Sequence, residues 1–386
     1  MKFLRRIKRI IRRGRVDKKL KRILCVALAT VLTVTVAVTN YEHLPKIVTN
    51  LAVLSTALAL PEGTGGMSKT DTPDLPLTPP PLRDENPPDT EAVSDAIVDI
   101  PAAPSYEVDE DDKGRIIEEK FSSTADKNAV VFGNGTIKNY TEKSLESIEK
   151  ILETPWGETL TNDSQTVQVL IMHTHTTESY EPYDRDFYDV NYSARTLDEN
   201  FNMIKVGNAI AKTLSENGIG VVHDTTVHDY PSYNGSYDRS AVTVKTWLER
   251  YPTIKVVIDV HRDAIERTLN GETVRVKPTT EIDGKKAAQI MIIAGCDDGT
   301  MGMPNYKQNL RFAAALQDRI ETDSPSLTRP LMFDYRKYNQ NLTTGSILVE
   351  MGGHANSLDE AVYSGELLGK SLSTLLKTYM DENGEE

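Results

Sequence analysis

Cysteine is almost absent: Cys25 and Cys296 are the only two in 386 residues. Two thiols can build neither a disulfide framework nor a thiolate zinc site. Any metal this chain binds must therefore be held by His, Asp and Glu. Long uncharged runs are also scarce. One, at 23–39 (ILCVALATVLTVTVAVT), reaches the lower limit for a membrane span. The 22 residues before it hold twelve Lys and Arg against Asp17 alone, although the whole chain carries −13. A basic head could signal nucleic acid, but its position in front of an apolar run points to a membrane instead. The head is expected on the cytoplasmic side, with everything after the run outside. No small-x-small pattern closes the run, so an uncleaved anchor is expected rather than a signal peptide.

Residues 40–60 form a juxtamembrane apolar segment, whose stretch 47–60 is too short to span and reads as an interfacial helix or an extension of the anchor. Residues 61–104 carry ten prolines among Gly, Thr, Asp and Glu. That composition cannot bury enough apolar surface to offset its ordering entropy, and it predicts an extended tether. Residues 105–150 are expected to be a partly ordered lead-in, with a short amphipathic helix over 142–153, and 151–386 the catalytic domain. In that last part apolar strand-like runs at 167–172, 219–223, 254–263, 288–294 and 346–353 alternate with helical patterns at 202–214, 240–250, 305–320 and 358–379. The alternation predicts an α/β fold with a mainly parallel sheet covered by helices on both faces.

The chemistry gathers where three of these strands end. His173 and His175 close the first, His261 lies in DVHRD at 259–263, and Glu350 lies in VEMGG at 349–353. Residues two apart on a strand point the same way, so both first histidines are expected to converge. In a parallel sheet all carboxyl ends share one edge, where ligands bind. Histidine and carboxylate ligands with an open position suit catalytic zinc. Glu350 would then be the base that takes the proton of the attacking water and passes it to the leaving amine. His223 and His228 sit on other loops and read as supporting or surface residues. His354 could line the cleft.

The motifs HTHTTESY (173–180), VHD (222–224), HDYP (228–231), DVHRDA (259–264) and LVEMGG (348–353), with Asn202, Val206 and Gly207 on a helix, resemble the stage II sporulation protein P family. The resemblance covers roughly residues 160–380. It implies a fold similar to the zinc N-acetylmuramoyl-L-alanine amidases and a peptidoglycan hydrolase that thins the septal wall during engulfment. It further implies a single-pass membrane protein, acting outside the cytoplasm with a lytic transglycosylase and a membrane scaffold, and no nucleic-acid partner. By the resemblance, His175 matches the first ligand better than His173, His261 matches the later histidine ligand, and Glu350 the catalytic glutamate. The place of the remaining ligand, four residues before Asn202, holds Asp198, so Asp198, His173 and Glu178 all stand as candidates. Glu178 is also a candidate catalytic carboxylate beside Glu350. A stem-peptide endopeptidase or carboxypeptidase, and a non-catalytic wall-binding scaffold, are the alternative readings.

Overall fold

The computed structural model describes residues 103–122 and 127–380. The expected basic segment, anchor, juxtamembrane stretch and nearly all of the proline-rich linker lie outside them. Among the described residues no helix is long and apolar enough to cross a membrane.

Eight strands form one sheet in the order β2 (Ala129–Phe132), β3 (Gly135–Asn139), β12 (Leu331–Asp334), β11 (Ile290–Gly295), β13 (Gly345–Gly353), β7 (Val256–Asp263), β4 (Val169–Met172) and β6 (Val221–His223). The pairs β2–β3 and β11–β13 are antiparallel, and every other neighbouring pair is parallel. The mainly parallel sheet expected from the alternating runs is therefore present. Its centre is β13–β7–β4, the three strands that end in the ionisable motifs.

Alternation along these strands divides the core. Val169 and Ile171 of β4, Val256, Ile258 and Val260 of β7, and Ile347, Val349 and Met351 of β13 face one side. There they pack against α1 (Leu145–Leu152), α2 (Met203–Glu216), α4 (Tyr306–Asp323) and α5 (Leu358–Lys377). Leu170, Met172 and Val257 face the other side, against Val244 and Trp247 of α3 (Ser236–Arg250). Each fully buried Leu, Ile or Val in these layers is worth roughly 1.5–3 kcal/mol. Asp259 and His261 share the parity of Val257, and Glu350 that of Leu348. The strand period alone thus sends these three side chains toward the α3 side.

The helices begin where the sequence offers caps. Asn202 accepts the Ile204 N–H at 3.0 Å to start α2. Ser357 and Glu360 form a reciprocal capping box that starts α5. Gly365 and Gly369 of α5 let it lie close to α2, since a Cβ at Gly369 would come 2.7 Å from the Thr213 Cβ. The chain leaves β4 outward through α2 to β6, then crosses back through α3 on the opposite face to β7. Neighbouring strands β4 and β7 consequently send their following loops apart, which opens a crevice at their carboxyl ends.

A second sheet of five strands was not legible in the sequence. It has the order β10 (Lys285–Ala288), β9 (Glu272–Ile282), β1 (Lys113–Glu119) and β5 (Phe187–Asp189), with β8 (Glu266–Leu269) also on β9. The stretch 105–150, expected as a partly ordered lead-in, supplies β1 to this sheet, β2 and β3 to the large one, and α1. Lys277 of β9 is completely buried, yet ion-paired with Glu118 and Glu360, each at 3.1 Å, and with Asp184. Polar strands such as these are held by charge pairing that hydrophobic periodicity does not show.

Candidate active site

The strand bearing the two expected histidines stops at Met172, and residues 174–177 form turns. The two imidazoles therefore do not converge. His173 turns to the α2 side, fully buried, where its Nδ1 bonds the Val260 carbonyl and its Nε2 meets His223 Nε2, both at 2.8 Å. Gly207 makes room for this pair, because a Cβ there would lie 2.4 Å from His223 Nε2 and 2.6 Å from His173 Nε2. Both ring nitrogens of His173 are engaged away from the site, so the shared orientation inferred from strand period gives way to the turn. Asp198 holds a local turn: its Oδ1 accepts the backbone N–H of Asn200 at 2.9 Å and the Asn200 amide at 3.0 Å.

His175 swings the other way. Its ring stands 5.2 Å from that of His261, edge to face, and stacks on Tyr233 at 4.5 Å. Tyr237, from the first turn of α3, completes the enclosure, with its ring 5.6 Å from His175 and 6.4 Å from His261. His175 Nδ1 is buried and has no hydrogen-bond partner. Glu178 follows on the same loop, with Oε2 at 3.7 Å from His261 Nδ1 and accepting the Arg262 backbone N–H at 3.1 Å. Its Oε1 accepts from Arg195 at 3.3 Å. Asp259 Oδ1 forms an ion pair with His261 Nε2 at 2.8 Å. Asp259 is itself fixed by the Thr174 N–H at 2.8 Å and the Thr174 hydroxyl at 2.7 Å. Glu350 sits opposite His261 in the β13–β7 register, and its shielded Oε2 has no hydrogen-bond partner.

Electrostatics follow from this crowding. Burial opposes charge on His261, but Asp259, Glu178 and Glu350 outweigh it and push the imidazole up to about 9. Burial also opposes ionisation of Glu178, yet Arg262, His261 and Arg195 hold its carboxyl at about 2. Burial lowers His175 to about 3 against the pull of Glu178. For Glu350 burial dominates, Asp263 adds to it, and the carboxyl rises to about 8 although His261 opposes the shift. Glu178 and Glu350, which both act on the His261 imidazole, thus have very different proton affinities, the arrangement that divides acid and base roles.

The structure brings together His175, Glu178, His261 and Glu350, and turns His173 away from them. His228 is structural: Nδ1 bonds the His173 carbonyl at 2.7 Å and Nε2 bonds Thr243 Oγ1 at 2.9 Å. His354 is buried, with Nε2 3.5 Å from Glu266. Tyr233, Tyr237, Arg195 and Asp229 belong to the site although sequence reasoning did not single them out. Asp229 binds Arg195 at 2.7 Å and lies 3.9 Å from His175 Nδ1. The two tyrosines belong to a short aromatic cluster, YNGSY at 233–237.

Among the described residues no three His, Cys, Asp or Glu side chains already stand in coordination geometry. The donor set nevertheless fits a zinc ion. His175 and His261 supply two imidazoles, Glu178 a carboxylate within 3.7 Å of His261, and Asp259 the carboxylate on the far nitrogen that orients a metal-binding histidine. The orphaned His175 Nδ1 is a buried polar atom of the kind a ligand satisfies.

The chain is similar to solved N-acetylmuramoyl-L-alanine amidases. For AmiC2 of Nostoc punctiforme the match covers 55% of this chain and 96% of that one, at 13% identity and a TM-score of 0.32. For the amidase of Clostridium difficile 630 it covers 57% and 100%, at 16% identity and a TM-score of 0.32. The stage II sporulation protein P family matches residues 85–373, and the chain belongs to that family. Stage II sporulation protein P of Bacillus subtilis (strain 168) is 30% identical over 204 residues, which are 50% of this chain and 47% of that protein. The chain thus matches about half the length of that relative.

Proposed function

We propose that this protein is a zinc-dependent peptidoglycan hydrolase that cleaves the amide between N-acetylmuramic acid and L-alanine. The observation that carries the reading is the convergence of His175, Glu178 and His261 with Glu350 on the crevice side of β4, β7 and β13. His175 and His261, with Glu178 as the carboxylate, would hold the zinc, which when bound would supply Lewis-acid polarisation of the amide carbonyl. His173, expected among the ligands, is left out because both its nitrogens are spent.

The chain's own residues do the rest. Asp259 holds His261 in one orientation and is itself held by Thr174. Tyr233 and Tyr237 exclude water from the two imidazoles. Glu350 takes a proton from the attacking water and delivers it to the leaving amine. Its raised proton affinity suits that exchange near neutral pH. The family supports a role in sporulation at the cell wall. We extend this to septal thinning during engulfment, by a chain anchored through 23–39 and acting outside the cytoplasm beside a lytic transglycosylase and a membrane scaffold.

The test is incubation of the zinc-loaded protein with purified sacculi, followed by mass spectrometry of the soluble products. Release of peptides with a free L-alanine amino terminus, together with unsubstituted muramic acid, supports the amidase. Cleavage only between stem-peptide residues would replace it with an endopeptidase.

A further inference from the structure

Two buried arginines beside the cleft have spent the edge of the guanidinium that carries Nε and Nη2. Arg262 donates Nε to the Ser179 carbonyl at 3.2 Å and Nη2 to the Ala194 carbonyl at 2.9 Å. Arg185 gives both to Glu181. Arg275 leaves Nε and Nη1 without a hydrogen-bond partner, but the carboxylates of Glu266 and Glu181 stand 3.6 Å from them. Arg329 differs. It is 5% exposed, its Nη1 donates to Asp263 Oδ2 at 2.9 Å, and its Nε and Nη2 are buried without a hydrogen-bond partner. Leaving donors of a charged group unsatisfied in a low-dielectric site is costly, and such groups are commonly completed by a ligand.

The position of Arg329 says which ligand. Its backbone N–H bonds the Ile290 carbonyl at 2.7 Å, which sets it at the start of β11 and so beside the carboxyl end of β13. His175 follows β4, on the opposite flank of the β7–β13 pair. Arg329 and His175 therefore stand on either side of Glu350 and His261, as two contacts of one extended substrate would. The Nε–Nη2 edge is the side-on fork that matches the two oxygens of a carboxylate. Asp263, already on Nη1, keeps the arginine in place and leaves that edge aimed away from its own carboxylate. Phe121, half-buried, rests its ring 5.8 Å from the guanidinium.

The geometry points to Arg329 as the residue that receives a free carboxylate of the substrate's peptide and so selects acidic over amidated stem peptides. This deepens the hydrolase reading and rests on it for the identity of the substrate. The bond is a charge-assisted pair, and nothing covalent changes at Arg329.

Two muramyl peptides test it, one with free peptide carboxylates and one with the same groups as carboxamides. Wild-type kcat/KM should favour the carboxylate form by about 10–100-fold, the range for one desolvated charge-assisted pair. Arg329→Gln should bring that ratio close to one, mainly through KM. Arg329→Lys keeps the charge for Asp263 and should recover part of the ratio. Calorimetric titration of both peptides into zinc-loaded Glu350→Gln, and into the same variant with Arg329→Gln, reads the preference without turnover. Cleavage of neither peptide by the wild type, with the binding preference intact, sinks the hydrolase reading and spares Arg329. Equal binding of the two forms, binding of neither, or equal losses on both forms in Arg329→Gln would overturn the assignment.

Discussion

Glu350 faces His261 across the parallel ladder of β13 and β7, and the two hold protons far more tightly than their types usually do. The cause differs for each. His261 is proton-rich because Asp259 and Glu178 surround it, whereas Glu350 is proton-rich because burial and Asp263 disfavour another negative charge. A site with this much negative field around one imidazole favours a cation, and a proton is the cation bound when no metal is present.

Asp259→Asn tests the first cause. It keeps the shape of the side chain and removes the charge next to His261. The imidazole of the metal-free variant should titrate below about 9, the value to which its carboxylate neighbours raise it. Zinc affinity should fall by about 10–100-fold, as for loss of other histidine-orienting carboxylates. NMR titration of the histidine ring carbons and a competitive chelator assay read the two effects.

Glu350 bears on stability as well as rate. Its folded pKa, about 8, lies above the ordinary carboxylate value, so the folded state binds more protons than the unfolded state between about 4.5 and 8. Its contribution to stability is present below that window and is lost as pH rises through it. Metal-free Glu350→Gln should therefore melt at or above the wild-type temperature at pH 8 and lose that advantage at pH 5. Paired thermal melts at the two pH values check this.

The His173–His223 pair works in the opposite direction. Burial lowers His173 to about 4 and His223 to about 3, well below the ordinary 6.5. The unfolded state thus binds more protons as pH falls from about 6.5 to about 4, and stability drops over that range. His223→Gln removes one of the two groups and should flatten the fall in denaturant midpoint between pH 7 and pH 5. An unchanged slope would place the acid sensitivity elsewhere.

Gly207→Ala places a methyl group against both imidazole Nε2 atoms. The ring pair must part, because the helix backbone cannot retreat without disturbing α5. A loss of about 1–3 kcal/mol in urea unfolding is expected, typical of overpacking a filled core.

These residues also show where sequence was enough and where it was not. β4, β7 and β13 announced themselves as apolar runs with ionisable ends, and their shared sheet edge followed from the βα alternation. Glu350, His261 and His175 came from that pattern together with the family motifs. The opposite fates of His173 and His175 could not be read, because strand period stops applying where the strand stops, and Met172 is its last residue. The start of α3 at Ser236, earlier than the expected 240, brings Tyr237 over the site. The second sheet escaped because β9 buries Arg275 and Lys277 through ion pairs, so its sequence reads as polar loop. Those pairs join residues distant in the chain, and no local pattern records them.

The most direct measurement is zinc content and turnover of the wild type, His261→Ala and Glu350→Gln side by side on the same sacculi. The account predicts one zinc per chain in the wild type and in Glu350→Gln, and none in His261→Ala. Release of peptides from muramic acid should fall about 10²–10⁴-fold in Glu350→Gln and vanish in His261→Ala. Zinc lost from Glu350→Gln, or near wild-type release of peptide by either variant, would contradict it.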